Sequence, residues 1–108
     1  MKRGEVVTIA LSGDFGKPRP AIVVQADLFN DTHPSITILP ISSVIIHAPL
    51  YRITLDPTPE NGLKKVSQIM VDKIATARAD RIGRVVGRVT DDTMISVTRA
   101  LAVWLGVA

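Results

Sequence analysis

Arg19-Pro20-Ala21-Ile22-Val23-Val24-Gln25 is the stretch on which the fold turns. From Ala21 to Val24 it is unbroken, apolar and rich in β-branched residues, and it is bounded by Pro20 and Asp27. That is the pattern of a central strand covered on both faces. Upstream, Ser12 to Pro18 is crowded with turn residues and separates this run from a first β-rich segment, Val6 to Leu11. Downstream, Asn30 to Pro34 is a turn, and Ser35 to Leu39 alternates apolar Ile36 and Ile38 around Thr37, as a half-buried strand does.

Further out, Val44 to His47, Tyr51 to Leu55, Lys65 to Val71 and Arg84 to Val89 read as short strands. Asp56 to Gly62, with Pro57, Pro59 and Asn61-Gly62, reads as loop. The single predicted helix is C-terminal. Thr90 supplies the N-cap hydroxyl and Asp91-Asp92 the acids of the first turn. Met94, Val97, Leu101, Trp104 and Leu105 recur at helical spacing, which places Trp104 in an apolar core stripe, and Gly106 ends the helix. The expectation is one domain over residues 1–108, mainly β with a C-terminal helix: a small curved barrel or sandwich.

The 108 residues contain no cysteine, so disulfides, thiolate metal sites and thiol nucleophiles are excluded. The hydrophobic share of 46% excludes disorder. The longest apolar runs are far too short to span a bilayer. A signal peptide is argued against by Glu5 within the charged region and Gly13-Asp14 at the cleavage position, so a cytoplasmic location is expected.

The net charge of +3 is unevenly distributed. Residues 61–90 carry seven basic against two acidic side chains, a net +5, while the rest carry six against eight, a net −2. Such a stretch suits either an anionic partner, nucleic acid above all, or a solvated face of exposed strands. Only Phe15, Phe29, Tyr51 and Trp104 are aromatic, so nucleic acid would be held by charge and hydrogen bonds rather than by stacking.

Pro18 and Pro20 hold Lys17 and Arg19 in extended geometry at the mouth of the central strand. Arg19 is there either a stiffened hook for phosphate oxygens or a cap for a carbonyl. Ser42-Ser43, directly after Pro40-Ile41, offers hydroxyls that would donate to a phosphate or form a turn with their own backbone. His33 and His47 are isolated on loops, each a general base or a solvated side chain. No clustering argues for a metal, and no cofactor motif is present.

Four blocks then carry a resemblance that spans nearly the whole chain in order. Arg3-Gly4-Glu5-Val6-Val7, Gly16-x-x-Arg19-Pro20-Ala21-Ile22-Val23-Val24-Gln25, Leu39-Pro40-Ile41-Ser42-Ser43 and Ser67-x-x-Met70-Val71-Asp72-Lys73-Ile74-Ala75-Thr76 resemble the successive motifs of the MazF/PemK toxins of type II toxin–antitoxin systems. The resemblance implies an SH3-like barrel of the CcdB/MazF type and a homodimer. It implies a metal-independent, sequence-specific endoribonuclease that cleaves single-stranded RNA, mRNA above all, and is neutralised by a cognate antitoxin protein.

By the same resemblance the catalytic arginine falls on Arg19 and the catalytic threonine on Ser42, which keeps the hydroxyl and loses a methyl. Asp14, Lys17, Ser43, Lys73, Thr76 and Arg81 fall at substrate-binding positions, although Pro18 displaces Lys17 from the family's usual place. Asp14 or His47 would serve as base. Two other readings share the fold: a CcdB-like gyrase poison, and a non-catalytic RNA-binding barrel. A gyrase poison needs neither Arg19-Pro20 nor Ser42.

Overall fold

The computed structural model describes residues 1–10 and 17–108. Its strands are β1 (Glu5–Ile9), β2 (Arg19–Val23), β3 (Ser35–Ser42), β4 (Arg52–Leu55), β5 (Ser67–Met70), β6 (Ala75–Arg78) and β7 (Ile82–Arg88). Two helices complete it, the single turn α1 (Asp27–Asn30) and the long α2 (Asp91–Leu105). The strands form one antiparallel sheet in the order β4-β5-β3-β2-β1-β7, with β6 also paired to β3.

As its unbroken apolar run predicts, β2 is central: Ala21, Ile22 and Val23 are fully buried. Alternation sends their side chains to two separate cores. Ile22 joins Val6, Leu39, Ile41 and Ile69 beneath α2, which adds Met94 and Val97. Ala21 and Val23 join Val7, Ile9, Ile36 and Ile38 on the opposite face. The strand ends at Val23 rather than Gln25 because the Gln25 side chain takes over the ladder, its Oε1 accepting from Thr37 N at 3.0 Å.

Strand β3 runs past the expected Leu39 to Ser42. It pairs with β6 over Ser35–Ile38 and with β5 over Ile41–Ser42. Pro40, which has no N–H to give, falls between those two pairings.

The expected barrel is a curved open sheet: among the described residues, β4 and β7 are its ends and do not pair. The loop between β4 and β5 partly fills the gap instead. Arg88 N donates to Glu60 O at 2.8 Å, and the backbones of residues 60–62 and 86–87 approach so closely that a Cβ on Gly62 or Gly87 would collide with backbone. Gly62 also has φ +70°. Buried Asn61 holds this loop, its Oδ1 accepting from Thr58 N and Leu63 N and its Nδ2 donating to Asp56 O.

Val44 to His47, predicted as a strand, forms no ladder. The side chain of buried Gln68 substitutes for one, accepting from Ile46 N at 3.1 Å and donating to Ile46 O at 2.8 Å. Helix α2 has the predicted caps, with Thr93 N donating to Thr90 Oγ1 and Gly106 left-handed at φ 72°. Trp104 is not core. It is half exposed and lies on Tyr51, ring centroids 5.5 Å apart, in a last turn of α2 whose Val103 and Leu105 are exposed as well.

Candidate RNA-binding groove

Antiparallel register brings the two principal candidates together. Ala21 lies opposite Pro40 and Val23 opposite Ile38, so the same register carried two residues further sets Arg19 across from Ser42. Alternation puts both side chains on one face of the sheet. Arg19 and Ser42 line a single groove of about 1280 Å³, together with Ser43, Lys64, Lys65, Lys73 and Arg84. Thr8, Pro18, Pro40, Ser67 and Met70 also contribute to its lining.

The Ser42 hydroxyl accepts from Val44 N at 3.1 Å, forming the local turn considered from the sequence. That bond uses an oxygen lone pair and leaves the hydroxyl proton to donate elsewhere. Turn and donor are therefore compatible roles.

Lys73 reaches the groove through a bracing ion pair. It closes the 3₁₀ turn Val71–Lys73, whose Asp72 accepts from Arg52 Nε at 2.7 Å and from Arg52 Nη2 at 3.0 Å. Both side chains are largely buried. The hydrogen-bonded Arg52 guanidinium holds the Asp72 carboxyl below the usual carboxylate range, against the opposing effect of burial, and Asp72 raises the Arg52 pKa in return. Val71 N also donates to Tyr51 O at 3.0 Å, so β4 and the residue just before it both hold the turn. Arg52 carries no motif, and its distance from Asp72 in the chain conceals the pairing.

The basic stretch divides in space. Lys64, Lys65, Lys73 and Arg84 face the groove, whereas Arg78 pairs with Asp80 at 2.6 Å and Arg88 lies 3.8 Å from Asp91. The described lining includes no acidic residue and no histidine. Its potential is therefore set by arginine and lysine, as a polyanion site requires. Lys64, Lys65 and Arg84 were legible only as part of the +5 stretch and not as site residues.

The remaining candidates lie elsewhere. Lys17 is exposed next to Pro18 but outside the lining. Thr76 sits on β6 opposite Thr37, on the alternate face from inward-facing Ala75 and Ala77. Arg81 is exposed beside the start of β7, its carbonyl accepting from Ala10 N. His47 is exposed and off the lining, and His33 is engaged with Ser35 beside β3. Asp14 lies outside the described residues. Among the described residues no group of His, Asp or Glu is placed to hold a metal ion, and no helix is long and apolar enough to cross a membrane.

Known proteins match this arrangement along its whole length. A Mycolicibacterium smegmatis protein named a probable endoribonuclease MazF is 41% identical over 109 residues, covering 100% of this chain and 99% of that protein. A mycobacterial endoribonuclease solved in complex with its cognate antitoxin has the same fold, with a TM-score of 0.85 at 23% identity over 100% of this chain and 97% of that one. A chain of the MazE–MazF structure from Deinococcus radiodurans has it too, with a TM-score of 0.80 at 20% identity over 98% and 95%. A family model describing the PemK-like, MazF-like toxins matches residues 2–105, a span that contains every strand of the sheet and the whole of α2. With that coverage, and with Arg19 and Ser42 meeting in one basic groove, the chain belongs to the PemK-like, MazF-like toxin family of type II toxin–antitoxin systems.

Proposed function

We propose that this chain is a single-domain endoribonuclease toxin that cleaves single-stranded RNA, mRNA above all, at preferred sequences, and that a cognate antitoxin silences it. The observation that carries the reading is the register that sets Arg19 across from Ser42 in a groove whose described lining is basic and without acid.

Arg19 is the principal catalytic group. A guanidinium is a cationic, planar fork of N–H donors that matches the oxygens of a phosphate. When the RNA 2′-oxygen attacks phosphorus, charge builds on those oxygens, and a fixed cation there lowers the barrier. Ser42 donates a hydrogen bond to the same phosphate. The P–O5′ bond then breaks, leaving a 2′,3′-cyclic phosphate and a 5′-hydroxyl. The 2′-hydroxyl proton goes to a base and the 5′-oxygen takes one from water. With His47 off the groove, Asp14 is the base this reading retains.

Ser43 and Lys73 hold the flanking backbone inside the groove, and Lys17, Thr76 and Arg81 meet RNA running beyond it. The RNA supplies its own nucleophile, so the scheme uses no metal and no cofactor. The exposed apolar residues of α2, Ile95, Val103, Trp104 and Leu105, suit the homodimer that the reading includes.

Purified protein incubated in EDTA with a long single-stranded RNA, followed by mapping of the new 5′ ends, tests the proposal. Discrete cuts that vanish in Arg19→Ala and weaken in Ser42→Ala are expected. Intact RNA with wild-type protein, together with trapped gyrase–DNA complexes, overturns it.

A further inference from the structure

The wall of the groove facing Arg19 and Ser42 is built by two irregular devices, and both deliver cations. The first is a bulge. Pairing between β1 and β7 shifts register between Val6 and Val7 and again between Val7 and Ile9. There the Thr8 hydroxyl accepts from Arg84 N at 3.2 Å, in place of a backbone carbonyl. A Cβ on Gly83 would strike that hydroxyl, so the arrangement needs glycine. Beside this bulge Arg84 and exposed Val85 line the groove, while the Val86 side chain packs against the core beneath α2.

The second device is the loop pinned by Asn61 and by the close approach of Gly62 to Val86, which brings Lys64 and Lys65 over the same strand. Strand β1 lies between β2 and β7, so this wall stands two strand spacings, roughly 10 Å, from the strand that carries Arg19. Arg84, Lys64 and Lys65 are all exposed.

We infer that Arg84, Lys64 and Lys65 form a second phosphate-binding subsite. It holds a backbone phosphate of the same RNA strand other than the one cleaved, and Gly83 and Thr8 act as positioning residues for Arg84. The inference rests on the ribonuclease reading and deepens it: Arg19 and Ser42 act on the scissile phosphate, while this wall sets affinity and the path of the strand.

The test combines equilibrium binding and cleavage. A fluorescent, uncleavable 2′-O-methyl oligonucleotide of mixed sequence is titrated by anisotropy over a range of salt concentrations. Each phosphate contact to a single strand contributes about −0.7 to the slope of log affinity against log salt. Arg84→Gln and the double variant Lys64→Gln, Lys65→Gln are each expected to weaken binding about tenfold and to make the slope shallower by about 0.7 or more.

In cleavage assays the same variants raise KM by a similar factor and lower kcat by less than threefold. Gly83→Ala retains every charge and is expected to weaken binding like Arg84→Gln. The glutamine variants change only exposed side chains and decide the matter even if Gly83→Ala does not fold. If their affinity and salt slope match wild type while Arg19→Ala abolishes cleavage, the subsite is wrong and the ribonuclease reading stands. If wild-type protein neither binds nor cleaves RNA, both fall. If the variants lose affinity for a polyglutamate peptide and not for RNA, the wall belongs to an acidic protein partner and the inference is overturned.

Discussion

The two walls of the groove are made in opposite ways. On one, Arg19 and Ser42 stand on regular antiparallel strands, and their meeting follows from an uninterrupted register between β2 and β3. On the other, Arg84, Lys64 and Lys65 depend on a bulge, a side chain standing in for a ladder acceptor, and glycines pressed against neighbouring atoms. Regular pairing gives rigid placement of a few groups, as transition-state stabilisation demands. Irregular pairing lets a bulged strand and a pinned loop bring cations from separate segments to one groove, which suits grip on a polyanion. The contrast predicts that the first wall governs turnover and the second governs binding and stability.

The sharpest way to break that division is Arg19→Ala. Cleavage is expected to fall at least a thousandfold, about 4 kcal/mol of barrier, with thermal stability close to wild type. A loss of folding instead would assign Arg19 a structural role and erase the contrast.

Next in size is the brace behind Lys73. Asp72→Asn leaves Arg52 without its ionised partner in a largely buried site and is expected to destabilise by about 3 kcal/mol in urea unfolding. The sign with pH follows from the depressed folded-state pKa of Asp72. Its contribution is complete above the unfolded value of about 3.9 and is lost as pH falls through the lower folded value. Wild type should therefore lose stability below about pH 4 more steeply than Asp72→Asn does. Parallel acid limbs in the two proteins would refute the pairing.

On the irregular side, Gly62→Ala combines a left-handed backbone with a collision against Val86. About 2–3 kcal/mol of destabilisation is expected from thermal melts. A neutral result would mean that the loop is free to retreat from β7. Ser42→Ala is expected to lower kcat about tenfold, close to 1.4 kcal/mol, with little change in stability. Smallest is Thr90→Ala, remote from both walls, which removes the α2 N-cap and should cost about 1 kcal/mol of stability without affecting cleavage at saturating RNA.

What could be read ahead of the structure tracks the same contrast. Ile36 and Ile38, Ala21 to Val23, and Met94 with Val97 follow local periods, so their elements and burial were predictable residue by residue. Val44 to His47 has strand composition, but the partner that would make it a strand is replaced by the amide of Gln68, 22 residues away from Ile46. Strand β6 escaped prediction because Ala75-Thr76-Ala77-Arg78 has little β-branched character and owes its pairing to β3. Trp104 has core spacing on α2, yet how far it is covered depends on its tertiary neighbours, of which Tyr51 covers one side and leaves it half exposed.

By itself, then, the amino-acid sequence determined the mainly β class, the position of the central strand, both caps of α2, the absence of thiol chemistry, and, through its ordered motifs, the toxin family. Those features depend on local periodicity, on backbone preferences of single residues, or on residue identity alone. Only the tertiary structure decided that the sheet stays open, that Arg52 braces Lys73 through Asp72, and that Lys64, Lys65 and Arg84 share one groove with Arg19 and Ser42. Each of those depends on register and on close contacts between residues far apart in the chain, and no local pattern of side chains encodes them.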